Sequence, residues 1–178
     1  STPTKHGVAL LACRELWGHW NNVITLQLTD VEGHYLIWTQ GEAQFIGLYL
    51  PPTTDAASFE VARQIINKAL FEANKMPKLY RFIMGDLNIR MESGTTRIPS
   101  QHHRNLADEL NNFGFERVPM TEGKFTFFGR GRGRGRGVTT SILDHVYANE
   151  AGRSLRPKVI ALDKPHQPTH YSDHCYMI

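Results

Sequence analysis

The chain of 178 residues is 40% hydrophobic, 10% aromatic and 21% charged, a composition that can build one sizeable core and lacks the signature of wholesale disorder. Its formal net charge of +3 and pI near 9.0 make average electrostatics a weak pointer to polyanions, so such a partner has to be read from local charge. No apolar run approaches the roughly 20 residues that a membrane helix needs. The start Ser1-Thr2-Pro3-Thr4-Lys5 resembles no signal peptide, and Cys13 and Cys175 form neither a zinc pattern nor a disulfide framework. These features predict reduced, buried thiols, no membrane partner and an intracellular setting, the nucleus included. Ser1 in place of a methionine suggests that it is not a natural start.

Residues 7–13 form a short apolar run, and residues 22–29 alternate through Val23, Thr25, Leu26 and Leu28; both read as strands. Glu32-Gly33 supplies a turn into His34-Tyr35-Leu36-Ile37-Trp38, which predicts a hairpin. Residues 45–50 make another apolar strand, stopped by Pro51-Pro52, which lack two ladder donors. From 55 to 74 the period changes: Phe59, Ala62, Ile66, Ala69, Leu70 and Ala73 recur at three- and four-residue steps and predict a helix. Thr54 or Asp55 can cap its start, and Met76-Pro77 mark its end. Residues 79–84 read as a buried strand ending at Gly85-Asp86-Leu87-Asn88.

A polar loop at 92–100 precedes a second helix at 105–113, with Leu106, Leu110 and Phe113 on one side and Gly114 closing it. The remaining strand candidates are 125–128, 141–148, 157–162 and 174–178. Many strands with two helices between them predict a single α+β domain, a two-sheet sandwich flanked by helices. Between two strand candidates lie Arg130, Arg132, Arg134 and Arg136, alternating with glycine over 129–137. Such a segment has no apolar face to bury and is expected to be a mobile basic loop able to contact a nucleic-acid backbone.

Phosphoester hydrolysis needs positive charge on the phosphate, a base for the attacking water and donors for the developing charge. Four segments carry suitable side chains at expected strand ends. After the 79–84 strand, a period of two places Asp86 and Asn88 on one side if the backbone stays extended, so that one accepts a proton while the other donates hydrogen bonds. In Ser141-Ile142-Leu143-Asp144-His145 a carboxylate interrupts an apolar strand, where burial is costly unless a cation or N–H meets it. His145 faces the other way and reads as structural. In Ser172-Asp173-His174, Asp173 is a hard oxygen ligand of the kind Mg²⁺ takes, and His174 can donate to phosphate when a carboxylate holds its other nitrogen. Tyr49, delivered by a strand just before Pro51-Pro52, offers a phenol.

In this order and company the segments resemble the endonuclease/exonuclease/phosphatase superfamily, over residues 7–178. The resemblance implies a four-layer α/β/β/α sandwich of two mostly antiparallel sheets and phosphoester cleavage with Mg²⁺ or Mn²⁺. It implies that Asp86 orients or deprotonates water, Asn88 holds the transition-state phosphate and Tyr49 contacts that phosphate. Asp144 would fix the tautomer and angle of His174, which stabilises the pentavalent phosphorus, and Asp173 would assist the metal. Phe125-Thr126-Phe127-Phe128 ahead of Thr140-Ser141-Ile142-Leu143-Asp144 is most similar to the retroelement-type and AP-endonuclease-like branch.

Members of that superfamily carry an asparagine and a metal-binding glutamate on strands before the segment resembling 7–13, and only six residues precede Gly7 here. The expected activity is therefore a metal-dependent endonuclease on nucleic acid, DNA before RNA, with this chain alone weakly active or inactive. A non-catalytic subunit that binds nucleic acid or a protein is the alternative, and an inositol-phosphate or lipid phosphatase ranks third. Unpaired sheet edges would favour association with the missing segment or with another chain. Sedimentation should accordingly show a species heavier than one chain, and a monodisperse, stable monomer would count against that expectation.

Overall fold

The computed structural model describes residues 8, 25–90, 101–123, 125–130 and 138–161. Asp173, His174, Arg132, Arg134 and Arg136, the expected strand at 174–178 and all of that at 7–13 except Val8 lie outside the described residues.

Strand β1 (Thr25–Thr29) turns through Gly33, at φ +81°, into β2 (Tyr35–Gln40), and β3 (Ala43–Leu48) follows antiparallel. Helix α1 (Ala56–Ala73) crosses back so that β4 (Tyr80–Asp86) runs parallel to β3. Helix α2 (Gln101–Asn112), the short β5 (Glu116–Val118), β6 (Phe127–Arg130), β7 (Val138–Ser141), β8 (Asp144–Ala148) and α3 (Glu150–Ser154) complete the order. The strands form a six-stranded sheet in the order β1-β2-β3-β4-β8-β5 and a separate pair, β6-β7. Only the β3–β4 pairing among them is parallel, so the described residues form an α+β fold with mostly antiparallel sheets.

The period of two separates the faces of the large sheet. Ile37, Ile46, Ile83 and Tyr147 pair across four strands and lie under α1 and α2, packed with Ile66, Leu70, Leu106 and Leu110. Each such fully buried aliphatic side chain contributes about 1.5–3 kcal/mol by removal from water. On the opposite face the neighbouring row is Trp38, Phe45 and Phe82, whose rings stack at 5.3 Å and 5.4 Å. Asp55 caps α1 in a reciprocal box with Ser58, so of the two expected caps Asp55 is the one used. At the other end of α1, the fully buried Gln44 amide donates to the Ala73 and Met76 carbonyls and accepts from Arg81 Nε, tying the last turn to the sheet.

Several expected elements differ in extent. The 141–148 run is two strands, one in each sheet, because the chain leaves the β6–β7 pair at Ile142-Leu143 and an apolar run carries no mark of a change of sheet. Gly129 and Arg130 pair with Thr139 and Val138, so these first two residues of the expected basic loop are strand. Helix α2 begins at Gln101, earlier than its apolar spacing indicated. Among the described residues the 157–162 candidate contributes an isolated bridge, Glu122 to Ile160. Strand β5 and helix α3, the latter capped by Asn149, are too short for periodicity to reveal.

Beyond β1, the buried Asp30 accepts from Lys68 Nζ of α1 at 3.0 Å and from the His34 N–H. Burial by itself would raise the Asp30 carboxyl, but the hydrogen bonds from Lys68 and His34 and the charge of Lys68 together hold it below its ordinary 3.8. A depressed carboxylate contributes stability that is fully present above 3.8 and is lost as pH falls through the lower folded value. Urea titrations of the wild type and Lys68→Ala should therefore differ at neutral pH and converge as Asp30 is protonated. An unchanged gap in acid would contradict this.

Candidate active site

Strand alternation sends Asp86 and Asp144 to the sheet face opposite α1 and α2. Ile83 and Leu87 of the β4 segment, and Tyr147 of β8, are core residues on the helical side, which leaves Met84, Asp86, Asp144 and Val146 on the other. In the antiparallel β4–β8 ladder Asp86 is the direct partner of Asp144. The parallel ladder continues past β3 through a Leu50 N–H to Asp86 carbonyl bond of 2.9 Å, which sets Tyr49 beside Asp86. Burial pushes the Tyr49 phenol up, and the negative charge of Asp86 pushes it further. Tyr49, Asp86 and Asp144, distant in sequence, thus share one end of the sheet and are all partly accessible.

Asn88 reaches the same end by a different route from the one alternation predicts. Its backbone has φ +50°, its N–H donates to the Asp86 carboxylate at 3.1 Å, and its amide donates to the Leu50 carbonyl at 2.7 Å. An Asx turn replaces the extended backbone. The side chain is thereby fixed between the ends of β3 and β4. His145, on the helical side, is buried, and its Nε2 donates to the Ile89 carbonyl at 2.6 Å, a structural bond that holds the segment after Asn88.

Two further residues shape this end. Gly85 has φ +139°, and a Cβ there would lie 2.1 Å from the Leu48 carbonyl oxygen. Only glycine lets β3 and β4 approach so closely beside Asp86. Thr126 is fully buried, and its hydroxyl accepts the N–H groups of Leu143 and Asp144. The signals were a glycine directly before the acid and a threonine set among aromatics, each weak alone.

Of the remaining predicted site residues, Arg130 ends β6, whereas Arg132, Arg134, Arg136, Asp173 and His174 lie outside the described residues. Asp30, Glu32 and His34, in the β1–β2 turn, bring ligand atoms within 4.8 Å of one another. His34 is linked to this end through its carbonyl, which accepts the Tyr49 N–H at 2.8 Å. The Lys68 ammonium already supplies a positive charge to Asp30, so this cluster serves first as a brace between the turn and α1.

The family model for the endonuclease/exonuclease/phosphatase family matches residues 2–174. The chain belongs to that family. As a member of the endonuclease/exonuclease/phosphatase family it is a phosphoester hydrolase by descent, and its relatives in structure share the fold. An AP endonuclease from Archaeoglobus fulgidus superposes with a TM-score of 0.61 at 17% identity, covering 89% of this chain and 69% of the other. A 3′-5′ exonuclease, NExo, from Neisseria meningitidis gives the same TM-score of 0.61 at 17% identity, with 89% and 69% covered. The endonuclease domain of TRAS1, a telomere-specific non-LTR retrotransposon, gives 0.59 at 15% identity, with 86% and 67% covered. No curated protein matches the sequence.

Enzymes of the family generally use divalent metals, and the donors at this sheet end fit a hard cation. Two carboxylates placed directly opposite each other repel, and the repulsion is relieved by positive charge near them. Oxygen donors of this kind suit Mg²⁺ or Mn²⁺ rather than a soft metal.

Replacing Gly85 by alanine should destabilise the fold and displace Asp86. The left-handed φ costs on the order of 1–3 kcal/mol, and the clash with a backbone carbonyl adds to it. A lower urea midpoint at unchanged slope is the expected result; an unshifted midpoint would show that β3 and β4 can part without cost.

Proposed function

We propose that the protein is a metal-dependent nuclease acting on DNA, with Tyr49, Asp86, Asn88 and Asp144 at its centre and Asp173 and His174 completing it. The observation that carries this reading is the register that sets Asp86 against Asp144, with Tyr49 just past the end of the adjacent strand β3. Among the similar structures are an AP endonuclease, a retrotransposon endonuclease domain and NExo, which is also known as a 3′ phosphatase bound to a product DNA hairpin. Those descriptions favour a nucleic-acid phosphoester as substrate.

A bound Mg²⁺ or Mn²⁺ would neutralise phosphate charge, with Asp173 as its holder. Asp86 accepts a proton from the attacking water or orients it, a role suited to a carboxylate that is partly accessible. Asn88 has spent one amide proton on Leu50, and the second, without a partner among the described residues, is offered to a phosphate oxygen. The Tyr49 phenol, protonated at neutral pH as phenols are and pushed further that way by burial and by Asp86, donates to the phosphate. Asp144 orients His174, which donates to the developing negative charge. Arg130, Arg132, Arg134 and Arg136 contact the nucleic-acid backbone, with salt-dependent affinity.

The test is hydrolysis of labelled single- and double-stranded DNA and RNA, and of 3′-phosphorylated DNA ends, with Mg²⁺ or Mn²⁺ and with chelator. Asp86→Asn should lower the rate at least about a hundredfold, as loss of a positioned base does, while leaving binding intact. Salt-sensitive binding without cleavage by either protein would instead assign the chain a binding role, and release of phosphate alone would make it a phosphatase.

A further inference from the structure

The position of Asp144 depends on one side chain outside the residues that face a substrate. Between β7 and β8 the chain passes from the two-stranded sheet to the six-stranded one through Ile142 and Leu143, which belong to neither ladder. Backbone groups at such a crossing have no neighbouring strand to satisfy them, and an orphaned N–H in the interior is costly. Here the hydroxyl of Thr126 accepts both N–H groups at the crossing, from Leu143 at 2.9 Å and from Asp144 at 3.1 Å. The Thr126 N–H in turn donates to the Ser141 carbonyl at 3.0 Å, and the Leu143 carbonyl receives the Leu87 N–H at 3.1 Å.

The first peptide groups of β8 are therefore clamped from two sides: from Thr126, just before β6, and from Leu87, which directly follows Asp86. Along the ladders of this sheet the main chain supplies the acceptors, which no single substitution removes, although near the start of β4 the Asn149 side chain accepts the Arg81 N–H. At the crossing a side chain supplies one acceptor for two donors, so a single substitution can release both.

We propose that Thr126 is a positioning residue that sets Asp144 against Asp86 by fixing the backbone where the chain changes sheet. It touches no reacting atom. Its catalytic consequence rests on the nuclease reading above, whereas the placement itself does not.

Two variants separate positioning from packing. Thr126→Val keeps the branched shape and removes the acceptor; Thr126→Ser keeps the acceptor and removes a methyl group. Positioning requires serine to behave like the wild type and valine to fail, and packing requires the reverse order. Amide hydrogen exchange on the full chain should quicken about tenfold or more at Leu143 and Asp144 in Thr126→Val, with Ile46 and Ile83 unchanged, and stay within about threefold of wild type in Thr126→Ser. In the hydrolysis assay Thr126→Val should lower kcat about tenfold at a KM within about twofold of wild type, and serine should restore it.

Wild-type exchange at Leu143 and Asp144 in the valine variant, or equal loss in both variants, would overturn the proposal. Should the wild type hydrolyse nothing, the nuclease reading fails by itself, and the exchange measurement still decides what Thr126 does.

Discussion

The antiparallel ladder between β4 and β8 is the constraint on which the site depends. It joins two strands far apart in sequence and brings Asp86 opposite Asp144. Side chains alternate with a period of two, so a slip of one residue would send one carboxylate into the apolar layer beneath the helices. The register is held by what lies further along the same strands. Ile83 opposite Tyr147 belongs to the core under α1 and α2, and Phe82 opposite Ala148 to the cluster on the other face. Burial of those pairs fixes the register, and the carboxylates at the strand ends follow.

The neighbouring β3–β4 ladder adds the third strand end. It is parallel because α1 carries the chain back across the sheet, and its closest approach falls at Gly85, against the Leu48 carbonyl. The approach delivers Tyr49 to the flank of Asp86 and lets the Asn88 amide reach the Leu50 carbonyl. Three strand ends are thus stitched by main-chain and amide hydrogen bonds. Such a frame keeps its geometry while charge at its surface changes, as the proposed phosphoester chemistry requires.

Four buried polar groups among the described residues sit where elements meet. Gln44 ties the end of α1 to the sheet, Asp30 ties the β1–β2 turn to the same helix through Lys68, and Thr126 and His145 anchor the backbone on either side of Asp144 and beyond Asn88. Each group is hydrogen-bonded, as burial demands. Together they brace the frame that carries the candidate site.

Much of this was legible from residue order. Periodicity located α1, apolar runs bounded by turn residues located β2, β3 and β4, and Gly114 and the Thr54-Asp55 pair marked helix ends for local conformational reasons. The Tyr49, Asp86-Asn88, Asp144 and Asp173-His174 segments together pointed to the family whose model matches the chain. These signals are short-ranged, because turn chemistry, capping and amphipathic spacing act within a few residues. Tertiary structure alone decided that Asp86 faces Asp144, that the 141–148 run divides between two sheets, that Asn88 sits at positive φ and that Thr126 serves two N–H groups at the crossing. Those outcomes depend on which distant strands share a buried face, and that is settled by the free energy of packing the whole sheet rather than by the preference of any one segment.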